Sequence, residues 1–174
     1  MKREVIDLLN LQITEEFYSA YLYLNFSTIF TEAGYHGFAN WFRVQAREEL
    51  SHGMIIVEYL EANNESVKLA MIREPMTICE ENDWIRCILD ASLKHEKKIT
   101  GMINRIVETA DQADDLRTIR FLDWFVNEQA EEESNASDLI QEYDLFGDNP
   151  ASLYLMDKVL AERRYEEPLA LAKA

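Results

Sequence analysis

Apolar residues recur at alternating three- and four-residue steps along most of the chain, the spacing that lines one face of an α-helix. A first seam runs Ile6, Leu9, Ile13, Glu16, Ala20, Tyr23, Ser27 and Phe30. Gly34 and Gly37 interrupt the pattern. A second seam then runs Phe38, Phe42, Gln45, Glu49, His52, Ile56 and Tyr59 until Asn63 and Asn64 weaken it. The stretch from about Glu65 to Asn82, with Pro75 inside it, has no sustained period, and its length suits a crossover along a bundle better than a tight turn. Asp83 is placed to cap a third seam of Ile85, Leu89, Ser92, Glu96, Ile99, Ile103 and Ile106. After the acidic link ETADQADD comes a fourth: Leu122, Phe125, Gln129, Glu132, Ala136, Leu139 and Tyr143. Asn149 followed by Pro150 opens a shorter fifth helix through about Arg164. The final YEEPLALAKA has no clear period. The prediction is an all-α four-helix bundle over about 4–144, with a long crossover between helices 2 and 3, a short fifth helix at about 150–164 and a tail at 165–174. All of it forms one domain over 1–174.

Composition narrows the function classes. Seventeen basic residues against 33 acidic ones give a formal charge of −16, which repels nucleic acid and attracts cations. The N-terminus MKREVIDLLNLQITEEF lacks a signal-peptide core, and no segment is long and apolar enough to span a bilayer. The expectation is a cytoplasmic protein with no nucleic-acid or membrane partner. Cys79 and Cys87 lack CxxC spacing and are read as reduced structural thiols.

Each long seam is broken near its midpoint by a carboxylate: Glu16, Glu49, Glu96 and Glu132. In a bundle of similar helices the midpoints share one level, so these groups converge in the core. His52 joins them one turn from Glu49, and Gln129 one turn from Glu132. Burying one uncompensated ion costs several kcal/mol, and the seams contain no Lys or Arg. Two divalent cations would balance the four carboxylates, and mixed carboxylate and imidazole ligation suits iron(II) or manganese(II). Glu49 is best placed to bridge the pair. Glu48 points about 100° away from Glu49 and, with Glu128 and Glu131, could form a more open third cation site sharing Glu132. Taken alone, such an acidic run is more often a solvated face. Tyr23, two turns from Glu16, could donate an electron, although Tyr23 and Trp124 also read as ordinary core. His36 and His95 read as structural or exposed.

The motifs EEFYSA at 15–20, EELSH at 48–52, KHE at 94–96 and NEQAEEE at 127–133 resemble those of the bacterial non-haem ferritins, from Val5 to about Leu160. The resemblance implies a first iron site of Glu16, Glu49 and His52. It implies a second of Glu49, Glu96 and Glu132 with Gln129 nearby, and a third of Glu48, Glu128, Glu131 and Glu132. Tyr23 and Trp124 match the family's redox-active aromatics. It further implies a 24-subunit shell that oxidises Fe(II) with O2 or peroxide and stores ferric oxyhydroxide, with two irons per subunit at the centre. Asp111, Asp114 and Asp115 are candidates for acidic iron channels. Glu96 is followed at plus three by Ile99, and Glu132 by Asn135, so a second Glu-x-x-His is missing, unlike bacterioferritin and rubrerythrin. Leu50 stands where bacterioferritins carry a haem-ligating Met, so no haem is expected. Two alternatives remain: a di-metal oxidase or peroxidase without mineral storage, and a non-catalytic cage subunit that only nucleates mineral.

Overall fold

The structure, a computed structural model, describes residues 1–75 and 83–168. Five helices follow in order: α1 (Arg3–Glu32), α2 (His36–Ala62), α3 (Trp84–Gln112), α4 (Leu116–Phe146) and α5 (Pro150–Leu160). The starts of α3, α4 and α5 follow local chemistry. Asp83 accepts from the Arg86 amide at the start of α3, and Asp115 from the Thr118 amide at the start of α4. Asn149 accepts from the amides of Ala151 and Ser152, with Pro150 at the first helical position of α5. The ends of α1, α2 and α3 close alike. Gly34, Asn64 and Asp114 each take a positive φ (86°, 56° and 55°). The next amide in each case, from Tyr35, Glu65 or Asp115, returns 2.9 Å to the carbonyl of Phe30, Leu60 or Ala110. This is the left-handed stop that Gly, Asn and Asp tolerate.

Helix α1 packs along α2, α3 along α4, and α1 also faces α3. Every residue of the first and third predicted seams is buried; in the second and fourth, Tyr59 and Tyr143 are only half-buried. The core divides in two. One half is aromatic, built from Tyr23, Phe26, Phe30, Phe38 and Phe42 together with Leu89. The other is mainly aliphatic, with Leu9, Ile13, Ile56, Ile99, Ile103 and Leu122 around Phe125. The mid-seam carboxylates lie between these halves, which fixes each of them at one level.

Three expectations are corrected. The fifth helix ends at Leu160, not near Arg164, and Asn40 supplies the stop: its Nδ2 donates to the carbonyls of Leu160 (3.2 Å) and Arg163 (3.1 Å). Gly37 does not break the chain but lies inside α2, where a Cβ would come 1.6 Å from the Asp157 carbonyl oxygen. Its amide and that of Phe38 donate to Asp157 Oδ1 at 2.7 and 3.1 Å, docking α5 on the start of α2. Cys87 is disulfide-bonded instead of reduced, and Cys79 lies outside the described residues.

The described part of the crossover is irregular, as predicted, and is tied down by polar contacts. Asn10 donates to the Ser66 carbonyl and accepts from the Lys68 amide. Arg73 grips both oxygens of Glu15 at 2.6 and 2.9 Å while Lys98 reaches Glu15 from α3 at 2.5 Å. Burial pushes the Glu15 carboxyl up, but these cationic hydrogen bonds outweigh it and bring it down to about 2. Among the described residues no helix is long and apolar enough to cross a membrane.

Candidate metal centre

Glu16, Glu49, Glu96 and Glu132, one from each long helix, are all buried, with exposures of 1–5 %. His52 sits one turn after Glu49 and is 2 % exposed. One ligand atom from each of Glu16, Glu49 and His52 falls within a 4.8 Å span, as do atoms of His52, Glu128 and Glu132. His52 joins the two groups, its Nδ1 lying 3.6 Å from Glu49 Oε2 and its Nε2 3.9 Å from Glu128 Oε1. Both separations are too long for hydrogen bonds and leave room for an ion between the atoms.

Neutral donors hold the carboxylates in place. Gln12 Nε2 donates to Glu16 Oε1 at 2.8 Å, one turn along α1. Gln45 Nε2 donates to Glu49 Oε1 at 3.1 Å and across the bundle to Glu132 Oε2 at 2.7 Å. Tyr23, fully buried, donates its hydroxyl to Glu96 Oε1. Gln129 Nε2 lies 3.2 Å from Glu96 Oε2 and 3.3 Å from Thr100 Oγ1. It therefore presents a donor to Glu96, which makes Gln129 a supporting neighbour in this arrangement.

Such a site is electrostatically unsatisfied. Burial, followed by the repulsion of Glu49, holds the Glu16 carboxyl well above the usual range. Burial and then the charge of Glu96 do the same to Glu49 and Glu132. Burial also raises Glu96, against the hydrogen bonds from Tyr23 and Gln129. Glu16 Oε2 and His52 Nε2 are buried with no hydrogen-bond partner among the described residues. Polar atoms left unpaired at this depth cost about 1–3 kcal/mol each. A borderline divalent cation, which takes both carboxylate oxygen and imidazole nitrogen, would satisfy them, so the donor set fits iron(II).

The outer acidic residues separate into two roles. Glu128 approaches His52 and Glu132, and burial raises its carboxyl. Glu48 faces the same cleft of about 520 Å³ with Glu131, but it already has a cationic partner. Arg163, beyond the end of α5, places Nη2 at 2.6 Å from Glu48 Oε2. The seams contain no basic residue, as read from the sequence; this counter-charge arrives from the tail. Trp124 is half-buried, not core, and stands edge-on to His52 with ring centroids 5.5 Å apart. His95 is structural: it meets Ser19 Oγ at 2.7 Å, and burial brings it down to about 4. His36 is exposed. Asp115 caps α4, and Asp114 takes the left-handed turn.

Sequence reasoning overlooked Gln12 and Arg163 and passed over Gln45, although it lay on a seam. The two glutamines carried a legible signal, each standing four residues before a core Glu, where helical geometry stacks the side chains. Arg163 carried none, because a residue in an irregular tail has no period to place it.

A family model described as a ferritin-like domain matches residues 6–146. A protein of Staphylococcus saprophyticus named "Bacterial non-heme ferritin" is 34 % identical over 167 residues, covering 96 % of this chain and 98 % of its own. A Haemophilus influenzae protein named "Probable bacterial non-heme ferritin-like protein" is 34 % identical over 160 residues, covering 92 % and 95 %. Among solved structures, an open pore ferritin of the archaeon Archaeoglobus fulgidus superposes with a TM-score of 0.89 at 36 % identity, over 94 % of this chain and 99 % of that one. With matching helices, a family match across the four-helix bundle and relatives aligned over nearly their whole length, this chain belongs to the ferritin family.

Proposed function

We propose that this chain is a subunit of a 24-subunit iron-storage shell and a ferroxidase, oxidising Fe(II) with O2 or peroxide and depositing the product inside as ferric oxyhydroxide. The observation that carries this reading is the buried, unneutralised group of Glu16, Glu49 and His52, in which Glu16 Oε2 has no hydrogen-bond partner among the described residues. Fe(II) is the substrate. Glu16, Glu49 and His52 hold one ion, and Glu49, Glu96 and Glu132 the other, with Glu49 between them. Two ions held side by side each give up one electron to the same oxidant, reducing O2 by two electrons, with two protons, to hydrogen peroxide. Tyr23, hydrogen-bonded to Glu96, would supply a further electron which, with one from a third Fe(II) and two protons, carries the peroxide on to water. Glu48, Glu128, Glu131 and Glu132 form the third, more open site.

Assembly into a shell is supported by an apolar groove of about 660 Å³ on the outer face of α1 and α2, lined by Phe17, Tyr21, Leu24, Leu50 and Ile72. Tyr21 and Leu50 are half exposed, a loss that a second copy would relieve. Aerobic addition of Fe(II) to apoprotein tests the chemistry. Glu49→Ala or His52→Ala slows the fast rise in ferric absorbance about 100-fold, the scale of losing a ligand or its support, while native mass still shows the whole particle. Rates equal to wild type would remove these residues from the centre. Glu131→Ala changes the iron-to-oxygen ratio and spares the first fast phase; complete loss of that phase would put Glu131 in a different site.

A further inference from the structure

From Ala161 to Tyr165 the chain beyond α5 lies back along α2. Asn40 holds its first carbonyls. Tyr165 places its hydroxyl 2.7 Å from Ser51 Oγ, and the Arg47 guanidinium lies 4.2 Å from the Tyr165 ring centroid. Between these anchors Arg163 is fixed on four sides. Its guanidinium lies 4.5 Å over the Trp41 ring. Nη1 donates to the Trp41 carbonyl (3.3 Å) and to Gln45 Oε1 (3.0 Å), and Nη2 to Glu48 Oε2 (2.6 Å). Only about a fifth of either the Arg163 or the Glu48 side chain is exposed, so the pair is largely withdrawn from water.

Two consequences follow from this geometry. A cation seated among Glu48, Glu128, Glu131 and Glu132 must share Glu48 with a guanidinium that the chain itself delivers. Arg163 also determines which end of the Gln45 amide faces the centre. By donating to Oε1 it turns Nε2 towards Glu49 and Glu132, whereas the reversed amide would point an oxygen at two carboxylates.

We propose that Arg163 is a positioning residue that acts as a tethered counter-cation of the third site. It occupies Glu48 and fixes Gln45, and so keeps that site weaker than the paired centre and ties its filling to release of the tail. The inference rests on the third-site reading given above. Coupling between two ligands is reciprocal: whatever the guanidinium costs an entering cation, the cation costs the grip of the tail.

Zn(II), which has no redox chemistry, is titrated calorimetrically into assembled, metal-free protein. In Arg163→Gln the weakest class of sites tightens about tenfold, within the usual range of coupling between sites, while the tighter sites shift less. Arg163→Lys keeps the charge against Glu48 and stays closer to wild type. On a Glu48→Gln background most of the effect of Arg163→Gln is lost with the shared carboxylate, and what is left is the part that Gln45 carries to Glu132. In wild type, amide exchange of residues 161–167 quickens as the weakest sites fill. Circular dichroism and native mass show that each variant is folded and assembled. An unchanged or weaker third class in Arg163→Gln overturns the role of Arg163 while leaving the third site standing. Absence of any third class in both proteins overturns the third-site reading and this inference with it.

Discussion

Replacing Glu49 by Gln should stabilise the metal-free protein while destroying its metal affinity. Glu49 and Glu16 bring ligand atoms within 4.8 Å of each other, and burial followed by the charge of Glu96 holds Glu49 well above the usual carboxylate range. Two unit charges at that distance repel by about 3.5 kcal/mol at an effective dielectric of ~20. Retaining a proton lets the apoprotein escape part of this, so about 1–3 kcal/mol is recoverable. The new amide keeps an oxygen for the Gln45 donor and offers N–H groups towards Glu16, whose Oε2 has no partner among the described residues. The sign with pH is fixed. A carboxyl raised in the folded state contributes stability that is present below its unfolded pKa and lost as pH rises through the folded value. The advantage of the variant is therefore greatest on the alkaline side and vanishes near pH 4–5. At pH 8, fixed subunit concentration and fixed scan rate, Tm should rise by about 3–10 °C. Added Zn(II) should then raise the wild-type Tm and leave that of the variant almost unmoved. A variant no more stable than wild type at pH 8 would mean that the four carboxylates are already compensated within the protein, and the electrostatic case for a metal centre would fail.

Two further outcomes concern the frame. Gly37→Ala drives a Cβ into the Asp157 carbonyl and should cost about 1–3 kcal/mol by displacing α5, read as a lower Tm and faster amide exchange at 151–160; an unchanged protein would refute the close approach. Glu15, brought down to about 2, contributes stability that is complete above its unfolded value near 4.5 and is lost as pH falls towards 2; Arg73→Ala should remove about 2 kcal/mol of that acid-side slope, and a slope equal to wild type between pH 5 and 2.5 would show that Arg73 does not hold it.

Much of the site was legible before any coordinates. Glu16, Glu49, Glu96 and Glu132 could be placed at one level because each lies at mid-seam and a straight helix converts residue number directly into height. His52 followed from the same turn as Glu49. What escaped depended on contacts across the bundle. Gln129 could be assigned to the neighbourhood of Glu132, but only packing turns its amide nitrogen to Glu96. Gln45 was visible on the seam, yet its double donation to Glu49 and Glu132 needs the distance between α2 and α4. Gly37 read as a stop because sequence punctuation cannot distinguish a turn glycine from one made small by an approaching carbonyl.

The sequence by itself determined the helices, their buried faces, the caps of α3 and α5 and the presence of four carboxylates in the core, since these follow from period and local hydrogen bonding. Only the tertiary structure decided how that core is divided and what guards its edge. It separated an aromatic half from a mainly aliphatic half with the acidic layer between them. It also carried Arg163 back over 115 residues of chain to Glu48. A helical period reports only which residues share a face, whereas the meeting of a tail and a helix depends on the packing of α5 against Gly37, which no local rule contains.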